Sequence, residues 1–330
     1  IIVTVRGFNL IFGVGMGAGL NGQIASCRLL LLLFTLYASP FTIPHGAAIV
    51  SVANEAGGIG LVAGRGRYPM LFAEETRRLG IGPLVVVAMH GETDPALAAL
   101  ADQVEWVYVG QLDKTIKAFL KAGVRRVVFA GQIKPGRLFG DLRPDFRVAK
   151  LLAFLRERNA ESIFGALTRE FEKDGVTILP ATTHLEAHLA SPGVLGRVKP
   201  SSADWQDIEL GRRIAITTSS NDIGQTVVVK AGAILAVEAF EGTDKAIIRG
   251  GEVGKGDVIV VKVAKPRQDL RFDVPCIGLR TVESLITAKA RVLAVETGRT
   301  LLLDRPAVLA ALDQAKIAVV GIPLEGPVKP

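Results

Sequence analysis

The sequence predicts an α/β protein: a Rossmann-like domain on a parallel sheet, then a distinct α/β domain that carries the chemistry. Three observations lead there. The chain has 330 residues, enough for two domains of roughly 150 residues each. From Ile59 onward, short apolar runs alternate with amphipathic stretches across short loops, as in βαβ units. After Ile216 the sequence becomes strand-rich, with Asp, Glu, Lys and Arg at strand ends and in turns. The expected boundaries are a leader over 1–57, a first domain over 58–190, a linker over 191–202, a second domain over 203–323 and a tail over 324–330.

The leader reads unlike the rest. It begins at Ile1, is Gly-rich up to Arg28, and then runs apolar from Leu29 to Ala38 before Ser39, Pro40, Pro44 and Gly46 break it. Ten residues reach only ~15 Å as a helix, and a bilayer core needs ~20 residues. Arg28 and Tyr37-Ala38-Ser39-Pro40 have the flanks of a signal peptide, but the run follows an overlong approach. A start codon placed too early is the favoured reading, with the segment loosely attached.

The first domain opens with the strand Ile59–Ala63 and a glycine turn through Gly64 and Gly66. A helix follows, started by Pro69, which suits a first helical turn. Strand, glycine turn and helix start aim backbone N–H groups at a phosphate. The third glycine of a dinucleotide fingerprint is missing. Strands are expected over 84–89, 104–109, 126–130 and 176–179, and helices over 112–121, 148–156 and 161–174, with Asp94-Pro95 capping a short helix. Gly64, Gly110, Gly131 and Lys134 then gather beyond the strand carboxyl ends, where such sheets bind ligands. His184 and His188, four apart on an expected helix, read as a surface pair and not as metal ligands.

In the second domain a helix over 204–216 precedes strands at 226–230, 234–237 and 258–263. Glu238, Glu241, Asp244, Asp269 and Asp273 cluster in sequence with Lys262, Lys265, Arg267 and Arg271. Oxygen ligands without Cys or His suit a hard ion such as Mg²⁺, and nearby Lys and Arg suit phosphate. Together they fit phosphoanhydride cleavage. Asp269 and Asp273, like Arg267 and Arg271, would share a face of a strand. The competing reading is a solvated charge run.

Composition narrows the classes. Hydrophobic residues at 49% and charged residues at 22% exclude a largely disordered chain. Two cysteines, Cys27 and Cys276, make neither a disulfide framework nor a zinc site, and Cys276 reads as a small packing residue. A net charge of +7 fits an anionic small molecule or membrane surface, with no basic block for nucleic acid.

Longer motifs then point to a family. These are Pro200-Ser-x5-Asp207-Ile-x2-Gly211, Asp222-Ile-Gly-Gln225, Ala236-Val-Glu-Ala-x-Glu241-Gly-Thr-Asp244 and Lys265-Pro-x-Gln-Asp269-Leu-Arg-Phe-Asp273-x-Pro275-x-x-Gly278. With Gly60-Leu-x-Ala-Gly64-x-Gly66-x-x-Pro69 and Phe129-Ala-Gly131, they resemble LpxI-type UDP-2,3-diacylglucosamine pyrophosphatases from Gly58 to about Ile322.

The resemblance implies hydrolysis of UDP-2,3-diacylglucosamine to UMP and 2,3-diacylglucosamine 1-phosphate in lipid A synthesis. It also implies Mg²⁺ or another divalent cation, a homodimer, and a cytoplasmic protein peripheral to the inner membrane. The family's essential aspartate falls on Asp273. From the residues themselves, Asp269, Glu241 and Asp244 are further metal or water-positioning candidates, and Gly64, Gly66, Gln225, Thr243, Lys265 and Arg271 are substrate-binding candidates. The apolar segments 292–295, 301–303, 308–312 and 317–320 are candidates to hide the acyl chains. A dinucleotide-dependent oxidoreductase and a non-catalytic nucleotide or lipid carrier are the alternatives. The carboxylate-rich motifs speak against a carrier.

Overall fold

The computed structural model describes residues 2–5, 8–11, 57–133, 143–155, 160–266, 268–323, 325, 326 and 328. The apolar run Leu29–Ala38, Cys27, Lys134 and Arg267 lie outside them. The chain divides into two compact units, Ile1–Ala53 and Asn54–Pro330. In the first unit the described residues form one antiparallel hairpin of β1 (Ile2–Val5) and β2 (Phe8–Ile11).

The second unit contains two sheets. The first is a parallel sheet of β3 (Ile59–Ala63), β4 (Leu84–Met89), β5 (Gln103–Val107), β6 (Arg126–Ala130) and β7 (Thr177–Ile178), in the order β5-β4-β3-β6-β7. The chain steps outward from β3 to β5 and returns beside β3 as β6, so the strand order reverses between β3 and β6. Its central strands β3 and β4 read as continuous apolar runs because helices cover both faces. α1 (Arg67–Arg78) packs Leu71 and Phe72 on one face. α2 (Leu112–Lys121) and α4 (Ala160–Lys173) pack Ile116, Phe119 and Phe171 on the other. α3 (Phe146–Phe154) precedes α4 and buries none of its residues fully.

The turns after β3 and β6 meet. Arg65 N–H donates to the Gln132 carbonyl at 2.7 Å and Gln132 N–H returns a bond to Arg65 at 3.1 Å. A Cβ at Gly64 would stand 2.6 Å from the Gln132 carbonyl oxygen, and one at Gly131, where φ is +93°, 2.8 Å from that of Arg65. Only glycine permits this approach.

The segment expected as a linker contributes β8 (Gly193–Val194) to the second sheet, which has the order β10-β9-β11-β13-β15-β8. Its parallel centre is β11 (Val258–Lys262), β13 (Ala290–Glu296) and β15 (Ala318–Ile322). β8, β9 (Thr226–Lys230) and β10 (Ala233–Val237) run antiparallel to their neighbours. β12 (Cys276–Ile277) and β14 (Leu301–Leu302) pair separately. α5 (Ser202–Ser220) covers one face through Trp205 and Ile208. α6 (Thr243–Gly254), α7 (Leu279–Thr287) and α8 (Arg305–Gln314) cover the other. The apolar segment 308–312 is thus half a helix packed in the core by Val308 and Leu312.

The first of the second-domain motifs is structural. Ser201 caps α5 in a reciprocal capping box with Asp204. The Asp207 carboxylate accepts from Ala231 N–H and Gly232 N–H, both at 2.7 Å, fixing the turn of the β9–β10 hairpin. Gly211 lets α5 approach the sheet at Val261 and Val229.

α6 meets α7 just as closely, because a Cβ on Gly251 would stand 2.4 Å from Ala288 Cα. Backbone cannot step aside as a side-chain tip does, so Gly251→Ala overpacks this contact. The variant is expected to lose about 1–3 kcal/mol of unfolding free energy, measured by denaturant titration. Unchanged stability would mean that the two helices are less tightly held.

Candidate active site

The segment from Lys265 to Pro275 positions the candidate site. It is a turn and not the strand expected from the spacing. The Asp269 carbonyl accepts from Phe272 N–H at 3.0 Å and Asp273 N–H at 3.1 Å, as in one turn of helix. Pro266 and Pro275 lack the donors a ladder needs. Asp269 and Asp273 do lie four apart on one turn, for a helical reason.

The apolar side chains of this segment enter the first domain. Phe272 stacks on Phe164 of α4 at 4.5 Å between ring centroids and meets Phe129 of β6 edge-on at 5.2 Å. Leu270 and Val274 join the core on the other face of the first sheet. The Leu270 carbonyl accepts from Ala181 N–H at 2.8 Å. Leu301 packs into the same core. The segment therefore straddles the end of β6, and Asp273 emerges exposed beside the junction of the two domains.

One further contact closes that junction, and another braces the first domain beside it. Arg67 donates to both Asp304 oxygens at 2.7–3.0 Å and to both Glu74 oxygens at 2.6–2.7 Å. These carboxylates raise the Arg67 pKa and Arg67 lowers that of Asp304. Tyr68 donates its hydroxyl to the Ala181 carbonyl at 2.5 Å.

Cys276 lies among these groups. Burial pushes its thiol up to about 12, with the Lys262 charge opposing and the Asp273 charge adding. Such a thiol is no nucleophile, and it donates to the Val274 carbonyl at 3.2 Å.

The other carboxylates are held apart. Glu241 pairs with Arg249 at 2.5 Å, Asp244 with Arg280 at 3.2 Å and Asp269 with Arg271 at 2.8 Å. These arginines hold the Glu241 and Asp269 carboxyls below the usual carboxylate range. Asp273 has no side-chain hydrogen bond or ion pair among the described residues. Among those residues no three His, Cys, Asp or Glu groups converge to hold a metal. Asp273, Asp269, Glu241 and Asp244 thus form no closed cage.

The substrate-binding candidates divide similarly. Lys265 Nζ donates to Asp222 at 2.9 Å and Arg271 is engaged by Asp269. The Gln225 side-chain oxygen is buried without a hydrogen-bond partner among the described residues. Gly64 and Arg65 spend their N–H groups on Ala130 and Gln132. Gly66, with φ +98° at the start of α1, has open space about it.

Thr243, at the first turn of α6, belongs to a buried polar chain. It donates its hydroxyl to Glu238 at 2.9 Å and accepts from Lys262 Nζ at 3.0 Å. Thr226 pairs with Lys262 in register and its carbonyl accepts from Glu238 N–H at 2.8 Å.

The sequence reading passed over Glu296, which is 5% exposed and accepts from Ala264 N–H at 2.6 Å. This bond pins the segment that leads to Asp273. A signal existed: Leu-Ala-Val-Glu ends both β10 and β13, at Glu238 and Glu296, placing an acid after an apolar strand. The histidines are also corrected. His184 sits at φ +64° in a turn, and only Glu186–His188 forms a short 3₁₀ turn. Both rings are half-buried against α1: His184 stacks on Phe72, and His188 Nε2 lies 3.3 Å from Glu75.

Family models described as the LpxI N-terminal domain and the LpxI C-terminal domain match residues 58–188 and 191–320. This chain belongs to the LpxI family. A relative from Caulobacter vibrioides, named UDP-2,3-diacylglucosamine pyrophosphatase LpxI, is 33% identical over 284 residues, covering 82% of this chain and 99% of the relative. Among solved structures, the biotin carboxylase domain of the Hydrogenobacter thermophilus 2-oxoglutarate carboxylase aligns over 54% of this chain and 35% of its own, at 16% identity and a TM-score of 0.22. A Campylobacter jejuni biotin carboxylase aligns over 60% and 42%, at 11% identity and a TM-score of 0.24. Similarity this slight carries no argument.

Burial raises the pKa of Glu296, outweighing the Ala264 N–H bond and the nearby Arg299 and Arg212 charges. The native state therefore binds this proton more tightly than the unfolded chain does. The stabilisation is complete below the unfolded value of about 4.3 and is lost as pH rises through the raised native value. Glu296→Gln keeps an acceptor for Ala264 N–H without the buried charge. Thermal melts are expected to match the parent near pH 4 and to exceed it at pH 8. A variant less stable at pH 8 would mean that the arginines outweigh burial.

Proposed function

We propose that this chain hydrolyses the pyrophosphate bond of UDP-2,3-diacylglucosamine, giving UMP and 2,3-diacylglucosamine 1-phosphate, as a step of lipid A synthesis. The observation that carries this reading is the match along 99% of a relative named for that activity. The geometry supports it through Asp273, a carboxylate free of described partners on a turn anchored in the first domain.

In this mechanism water adds to one phosphorus, the bond to the bridging oxygen breaks, and an Asp273 oxygen takes the proton that water releases. Lys265 and Arg271 exchange their carboxylate partners for phosphate oxygens. The Lys265–Asp222 pair, whose acid is exposed, is of the kind that contributes only about 0–1 kcal/mol, whereas the half-buried, bidentate Arg271–Asp269 pair is held more firmly. Gln225 and Thr243 offer polar contacts, and Gly66 leaves backbone approach open at the start of α1.

Mg²⁺ or another divalent cation belongs to the proposal. Mg²⁺ commonly takes one or two carboxylates together with substrate phosphates. The isolated Asp273 fits that open kind of site, and the arginine-paired carboxylates do not fit a closed one. When bound, the ion would offset pyrophosphate charge and acidify water. The proposal includes a homodimer at the cytoplasmic face of the inner membrane. A diacylated substrate supports the membrane contact, and no helix among the described residues is long and apolar enough to cross a bilayer.

The test is UMP release from UDP-2,3-diacylglucosamine by the parent and by Asp273→Asn, with and without Mg²⁺. The expected result is metal-dependent release that falls at least about a hundredfold in the variant, the scale of a lost general base. Absence of UMP from folded parent protein would overturn the reaction. Equal rates would keep the reaction and remove Asp273 from it.

A further inference from the structure

Away from Asp273, α3 and α4 enclose a cleft of about 550 Å³. Phe146 and Phe154, at its two ends, are 85% and 79% exposed. With Lys150 midway they stand at i, i+4 and i+8, on one side of α3. The same cleft is lined by Arg147, Lys150, Arg169 and Lys173, against the single acid Glu170. Glu170 pairs with both Arg147 and Lys173, and Arg147 pairs also with Asp174, so the excess charge is that of Lys150 and Arg169, both exposed.

Two bare phenyl rings beside excess positive charge are poorly matched to water. They match the boundary of an anionic bilayer, where aromatic rings enter the acyl region and Lys and Arg meet phosphate headgroups. The cleft and the candidate site share one helix: α4 presents Arg169 and Lys173 to the cleft and Phe164 to Phe272, one residue from Asp273.

We propose that the α3–α4 face docks this protein on an anionic phospholipid surface, with Phe146 and Phe154 inserted and Lys150 and Arg169 on the headgroups. The proposal draws its motive from the lipid-substrate reading above, but binding is measured without substrate. Seated this way, α4, the helix whose Phe164 anchors the Asp273 turn, would rest on the layer from which a diacylated molecule must be drawn.

The experiment is flotation of the full chain with vesicles of phosphatidylglycerol and phosphatidylethanolamine, and with phosphatidylcholine alone. The comparison is between the parent, the double variant Phe146→Ser/Phe154→Ser, and the double variant Lys150→Glu/Arg169→Glu. The expected result is binding to the anionic vesicles that weakens in high salt and falls at least about tenfold in either variant. All four side chains are exposed, so melting curves should coincide and separate lost docking from lost folding.

Equal flotation of parent and variants would overturn the proposal and assign binding to another segment, the apolar run 29–38 included. No flotation of the parent would overturn it in favour of a protein partner on this face. UMP release in detergent micelles, expected to be unchanged in the phenylalanine variant, separates the two readings. A parent inactive in micelles sinks the reaction while leaving the flotation result to decide the docking.

Discussion

The candidate site depends on the burial of Leu270, Phe272 and Val274 in a domain to which their neighbours in sequence do not belong. A fully buried apolar side chain of this size contributes roughly 1.5–3 kcal/mol; Val274 is buried and Leu270 and Phe272 are half-buried, and the Phe164–Phe272 stack adds to that. The three reach both faces of the first sheet at the end of β6. The polar residues between them are thereby turned outward, Asp269 and Arg271 toward each other and Asp273 toward solvent. Glu296 holds the near end of the same segment through Ala264. One turn of chain thus both joins the domains and presents the carboxylate, so a change that loosens the joint also moves Asp273.

The polar groups near the site divide by burial. Glu238, Thr243 and Lys262 are linked in a chain through one hydroxyl, and both charged members are at least nine-tenths buried. Opposite charges sharing one hydroxyl make such burial tolerable, since removing either would leave the other uncompensated. By the alternation of strands, Thr226, Glu238 and Lys262 all face α6 beyond the last apolar layer of Val228, Ala236 and Val260. This chain lies buried beside the candidate site, whereas the pairs of Lys265 and Arg271 lie nearer the surface.

Much of the fold was legible because it follows from local pattern. β3, β4, β6 and α2 fall on the residues that the apolar runs and helical spacing indicate, since a strand buried on both faces must be apolar throughout. The motif around Asp273 was legible as chemistry, but its conformation was not. The four-residue spacing is compatible with a strand or a helical turn, and the choice was made by tertiary burial of Phe272. The Arg67–Asp304 contact was out of reach, because 237 residues separate the partners and neither stands in a charge pattern. His184 and His188 misled for a related reason: their spacing suggested a helix, while Phe72 and Glu75 of α1 decided where the rings went.

The paired carboxylates bear on how a site without a preformed cage can still favour a highly charged substrate. Arg271, Arg249, Arg280 and Lys265 are each neutralised by a nearby acid, so the empty surface carries little unbalanced charge. In the proposed reaction a pyrophosphate would compete for Lys265 and Arg271, with bidentate oxygens that match guanidinium geometry at Arg271. Each acid it displaces becomes free to accept a proton or share a cation. Asp269 stands four residues from Asp273 on the same turn, so its release would bring a second carboxylate to the one already exposed. Substrate binding would then complete the acidic set that the resting arrangement keeps apart, and charge would be concentrated only when there is a phosphate to meet it.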